Sequence, residues 1–126
     1  MYGYRREVNQ PYVAAVQKAR EELKKEGFGV ITEVDVKDTL KKKLNVDFDD
    51  YIILGACNPP FAYQALKIEK GVGVMMPCNV VLWGEEGRTV VLAAMPTMLM
   101  ALVNKPELKI VAEQIEAKIR KAVDSI

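Results

Sequence analysis

Cys78-Asn79-Val80-Val81-Leu82-Trp83, Gly84-Glu85-Glu86-Gly87, Arg88-Thr89-Val90-Val91-Leu92-Ala93-Ala94: two apolar, β-branched runs flank a short glycine-bounded turn. That pattern reads as an antiparallel hairpin. It places an antiparallel sheet at the centre of the chain, and the flanking segments can be read against it. Upstream, Tyr51-Ile52-Ile53-Leu54-Gly55-Ala56 is a continuous apolar run of strand length, which predicts a strand covered on both faces. Cys57-Asn58-Pro59-Pro60 stops that strand and opens a helix to about Glu69. The prolines suit a first helical turn, and Asn58 is a capping candidate. Gly71-Val72-Gly73-Val74-Met75-Met76 then reads as the opening of a long strand, bulged at Pro77 and resuming at Cys78.

Further towards the N-terminus, residues 1–8 predict a short first strand. Pro11 starts a helix with Val13, Val16 and Leu23 turned inward, and Gly27 ends it in a left-handed conformation. Phe28 to Val34 reads as a strand with Phe28, Val30, Thr32 and Val34 on one side. Val36 to Leu44 follows as a short helix striped by Val36, Leu40 and Leu44. Downstream of the hairpin, Met95-Pro96 ends the strand and a short methionine-rich helix follows. Pro106 opens the last helix, whose apolar face is Leu108, Val111, Ala112, Ile115, Ile119 and Ala122. The fold class is therefore α+β: a mostly antiparallel, curved sheet of about five strands, covered by two longer helices with short helical insertions. Residues 1–126 read as a single domain.

Composition narrows the chemistry. The chain has 126 residues, 50% hydrophobic, with Lys+Arg 18 against Asp+Glu 17. It contains no histidine, and its one serine is Ser125. A Ser-His-Asp triad, a Cys-His dyad and an imidazole zinc site are thereby excluded. A net charge of +1 argues against a nucleic-acid partner, which calls for a basic face. The charged N-terminus does not suit a signal peptide. Thr89 to Val103, interrupted by Pro96, falls short of the roughly 20 residues of a membrane span. The expected location is the cytoplasm, with no membrane partner and with the two cysteines as reduced thiols.

Six residues stand out as site candidates. Cys57 and Cys78, each followed by asparagine and each near proline at a strand break, would allow thiol redox chemistry or a soft-metal site. Met75, Met76, Met95, Met98 and Met100 lie nearby in sequence; thioethers with thiolates and no imidazole suit Cu(I). For both residue types core packing is the more ordinary role, and for the methionines a plastic core or a dimer surface explains the spacing better. Asn58 and Asn79 offer amides at strand ends to a bound ligand, or else secure a cap and a bulge. Gly55 and Gly73 mark backbone that a ligand would approach closely. Gly71-Val72-Gly73 lacks the third glycine of a dinucleotide fingerprint, and no cofactor is expected. The carboxylates at Asp47, Asp49, Asp50, Glu85 and Glu86 fall in solvated turns, so with Tyr51 they assemble no acid–base constellation.

Three of these runs, in order, carry a family resemblance. Gly27-Phe28-Gly29-Val30 through Thr32-Glu33-Val34-Asp35-Val36 to Thr39-Leu40, then Ile53 to Pro60, then Pro77-Cys78-Asn79-Val80 resemble the family "domain of unknown function 302", Thermus-type members in particular. The likeness extends from Tyr4 to the last helix. It implies a TATA-box-binding-protein-like fold of order β-α-β-β-β-β-α with helical insertions, a small prokaryotic protein and frequent dimers. It brings no agreed activity and no catalytic residues. The leading functional expectation is a non-enzymatic, homodimeric small-ligand-binding or regulatory module, with the helix from Pro96 to Leu102 as a dimer or partner surface. The alternative is a thiol-based redox or soft-metal protein using Cys57 and Cys78.

Overall fold

The computed structural model describes residues 2–126. The hairpin forms as its sequence suggests: β4 (Cys78–Glu85) and β5 (Arg88–Ala94) pair antiparallel, closed by Glu85 opposite Arg88. The two turn residues, Glu86 and Gly87, have φ of 50° and 80°. Two positive φ values in a row give the primed turn whose twist matches that of paired strands. Around the hairpin lie β1 (Gly3–Val8), β2 (Gly29–Asp35) and β3 (Tyr51–Cys57), giving one antiparallel sheet of order β1-β5-β4-β3-β2. The helices are α1 (Tyr12–Lys25), α2 (Val36–Leu44), α3 (Pro59–Ile68), α4 (Pro96–Met100) and α5 (Pro106–Asp124). With α2, α3 and α4 as insertions, the chain runs in the β-α-β-β-β-β-α order.

Alternation along the strands divides the sheet into two unlike faces. Ile52, Leu54, Ala56, Val80, Leu82, Val91 and Ala93 point to one side and are buried. They meet Leu23 from α1 and Leu108, Val111, Ile115 and Ile119 from α5 in the hydrophobic core. The α5 face is the one its 3.6-residue spacing marks out. On α1 the buried positions are Ala15, Ala19, Glu22 and Leu23, while Val13 is 78% exposed. Two alanines let this helix lie close on the sheet, so the contact does not follow its largest apolar residues. Glu22 is held at that margin by Lys25 at 2.8 Å and Lys18 at 3.4 Å. The hydrogen bond from Lys25 pulls its carboxyl below the usual range.

Three further expectations are corrected. Lys70–Met75 is a 3-10 helix, not the opening of a strand. Its pattern does not alternate: Val72 is fully buried while Val74 is 90% exposed, and glycines at 71 and 73 weaken any extended preference. β4 begins only at Cys78, after the cis Met76-Pro77 peptide, and pairs with β3 in unbroken register, so Pro77 marks no bulge. The irregularity lies instead in β2. Val30 faces Ala56 and Thr32 faces Gly55, leaving Ile31 as the extra residue. Val30 and Thr32 therefore point to opposite faces. Finally, β3 is covered by helices on one side only: Tyr51 and Ile53 point away from the core and are half-buried.

Side chains tie the periphery to this frame. Asp35 caps α2 by accepting from the Asp38 amide at 3.0 Å. Glu116 of α5 accepts from both the amide and the hydroxyl of Thr97, at 3.1 and 2.7 Å, and so caps α4 from another helix. Arg6 donates to the Val123 carbonyl at 2.8 Å, Gln10 to that of Ile126 at 2.6 Å, and Tyr4 to Asp124 at 2.5 Å. These bonds seat the end of α5 against β1. Among the described residues, no helix is long and apolar enough to cross a membrane.

Candidate functional site

The face of the sheet turned away from α1 and α5 carries a groove of about 530 Å³. The register builds it. Tyr51 and Trp83 are direct cross-strand partners, and their rings stack at 5.7 Å with an interplanar angle of 6°. Phe48 packs beside Tyr51 at 6.1 Å, and the Arg5 guanidinium lies 5.7 Å over the Trp83 ring. The indole N–H donates to Glu85 at 3.1 Å, which satisfies the polar edge of Trp83 and leaves its body as apolar lining. Val81 and Leu92 supply aliphatic wall, with Asp49 at the margin.

Asn79 lies in the same groove, exposed, and its side chain makes no hydrogen bond among the described residues. It sits two residues along the strand from Val81 and opposite Gly55 of β3. Gly55 has a strict steric reason for its identity. A Cβ there would lie 2.8 Å from Pro77 Cγ and collide with the Thr32 hydroxyl. Of the sequence candidates, Asn79 and Gly55 are thus neighbours on the open face.

Asn58 and Gly73 lie elsewhere. Asn58 occupies the N-cap position of α3 but makes no capping bond there. It is 8% exposed, and its Nδ2 donates to the Glu26 carbonyl at 3.1 Å, joining the start of α3 to the end of α1. Gly27, at φ 87°, passes so near that a Cβ would lie 3.1 Å from that amide nitrogen. Gly73 stands in the 3-10 helix, where an added Cβ would meet only Leu66, at 4.0 Å, so no close approach explains it.

Cys57 ends β3 and Cys78 begins β4; both are free thiols and half-buried. They line one small cavity of about 20 Å³ between the sheet and α3, together with Met76, Met100, Phe28 and Asn58. Burial pushes the Cys78 thiol up to about 11, and proximity to Cys57 adds to the rise. Among the described residues, no group of three or more His, Cys, Asp or Glu is arranged to hold a metal ion.

Tyr51, Trp83 and Phe48 were not legible as a site. Each is an ordinary aromatic until the register sets 51 opposite 83. The available signal was the single tryptophan at the non-core phase of the β4 alternation.

No curated protein matches the chain. A solved structure does: an uncharacterised conserved protein of the same family from Bacillus stearothermophilus, 34% identical, with a TM-score of 0.92, covering 99% of this chain and 98% of that one. The family model for a domain of unknown function, DUF302, matches residues 4–126. The chain belongs to the DUF302 family.

Proposed function

We propose that this protein is a non-enzymatic, homodimeric binding module of the cytoplasm, holding a flat, largely apolar small molecule on the open face of its sheet in a regulatory role. The observation that carries the reading is the Tyr51–Trp83 stack beside an amide, Asn79, with no protein partner among the described residues. Ligand sites combine an apolar lining with a few placed polar groups, and this groove has that make-up. Aromatic faces bind a flat ring by offset stacking, worth about 0.5–1.5 kcal/mol beyond area burial. The space over Gly55 is taken by Thr32 and Pro77, so a ligand lies along Asn79, Val81 and Trp83 and not against that glycine.

The dimer reading rests on apolar surface. An antiparallel sheet that faces water usually turns polar residues outward. Here Val34, Ile53, Val81 and Leu92 share the outward phase with the two stacked rings. A second copy laid over this face would close the groove. The exposed Met98, Leu99 and Leu102 form another apolar surface of the kind that pairs copies.

Native mass spectrometry on gently purified protein tests both parts. The expected spectrum is a dimer carrying an organic mass that leaves on denaturation. Anilinonaphthalene sulfonate serves as a defined probe. Trp83 is the only tryptophan, so energy transfer from it reports occupancy of the groove. Tyr51→Ala should weaken probe binding by about tenfold, matching the loss of one aromatic contact. A bare monomer whose tryptophan fluorescence ignores the probe would overturn the proposal.

A further inference from the structure

We propose that the ligand of the open-face groove is a flat organic cation, a heteroaromatic ring whose fixed positive charge lies at the aromatic end beside Asp49; the inference rests on the groove being a ligand site. Among the described residues, Asp49 is the one charged residue in the lining, and it stands with the rings of Phe48, Tyr51 and Trp83. Its neighbours are spoken for: Asp47 is paired with Lys41 at 3.2 Å and Asp50 with Lys37 at 3.3 Å. The Asp49 carboxylate has neither an ion pair nor a hydrogen bond among the described residues. Aromatic faces attract positive charge through their quadrupole, and a carboxylate beside them supplies the opposite charge. A ring laid in the groove displaces water from beside both, which strengthens the attraction.

The Trp83 ring already holds a cation, the Arg5 guanidinium, at 5.7 Å. Arg5 is anchored only by Glu7 at 3.6 Å, with the two side chains 46% and 44% exposed, and an exposed pair of this kind holds little. Arg5 therefore acts as an internal stand-in that swings aside when a ligand brings its own positive charge to the ring. The wider field has the matching sign. Glu85 accepts from the Trp83 indole at 3.1 Å, and Asp50, Glu85 and Glu86 join Asp49 around the adjoining hollow at the hairpin turn, where Arg88 is the one cation. Such a field draws a cation in. Asn79 lies four residues along β4 from Trp83, about 13 Å away, and offers its amide to a polar arm at the far end of the ligand.

The test separates charge from ring. Anilinonaphthalene sulfonate reads the aromatic groove; 1-methylquinolinium and quinoline, compared at mildly alkaline pH where quinoline is uncharged, read the charge. Binding is followed by titration calorimetry and by static quenching of Trp83, the only tryptophan. The full chain should bind 1-methylquinolinium about tenfold more tightly than quinoline. Asp49→Asn should cut that ratio to about twofold without weakening quinoline, and Arg5→Ala should raise it about threefold. Asp49 makes no bond in the fold, and circular dichroism checks that both variants keep it. If quinoline and the sulfonate bind but the cation binds no more tightly, or if Asp49→Asn leaves the ratio unchanged, the charge inference is overturned while the groove stands as a ligand site. If none of the three compounds binds, both readings fall together.

Discussion

Glu86 holds a left-handed conformation that L-residues with a Cβ resist, and it does so because the hairpin turn requires it. Replacing it with asparagine creates the Asn-Gly pair this turn prefers. Glu86→Asn should stabilise the protein by about 0.5–1 kcal/mol, seen as a higher urea midpoint at unchanged slope. Tyr12 presents the opposite case, a residue whose surroundings resist a change of charge. Partial burial, then Asp35, Asp50 and Glu33, push its hydroxyl up to about 12. The unfolded chain would ionise Tyr12 near 10, so between 10 and 12 the native state holds the extra proton. Stability should therefore fall as pH rises through that window. Tyr12→Phe should lessen the fall, measured by denaturant titration at several alkaline pH values. At Asn58 the amide joins two helices, so Asn58→Ala should cost about 1–2 kcal/mol while leaving probe binding in the groove unchanged. A parallel loss of probe binding would show that the groove depends on this joint.

Elements with a strong local signal form where the sequence places them. The hairpin, α2 and α5 are written in turn residues, an amphipathic stripe and a wide apolar face, all local properties. Where tertiary contact decides, local reading fails. Val72 is buried by the surrounding core, not by alternation along its own segment, so the 3-10 helix passes for a strand. Ile31 becomes a bulge only through the pairing of β2 with β3. The same division runs through the sites. Cys57, Cys78, Asn79 and Gly55 stand at strand ends or breaks in the linear pattern, whereas the Tyr51–Trp83 stack exists only once the register does. The capping of α4 by Glu116 is likewise non-local. Glu116→Ala should cost about 1 kcal/mol, as the loss of an N-terminal cap does, and amide exchange should quicken across Pro96–Met100 first.

At the scale of the whole molecule, α1 and α5 share one core against one face of the sheet, and the other face is left to aromatics and aliphatics. The two faces should answer mutation differently. Leu54→Ala, fully buried beneath the helices, should cost about 2–5 kcal/mol and lower the thermal midpoint. Val81→Asp on the open face should instead shift the native mass towards a single chain and weaken probe binding, with far smaller loss of stability. The strand order bears on synthesis as well. β1 emerges from the ribosome first, yet its partner is β5, the last strand made, with Tyr4 opposite Ala93. A nascent chain halted before Arg88 has no partner for its first strand and no α5 to cover the core. Its apolar strands must stay open to chaperones through most of translation, and the sheet can be completed only near the end.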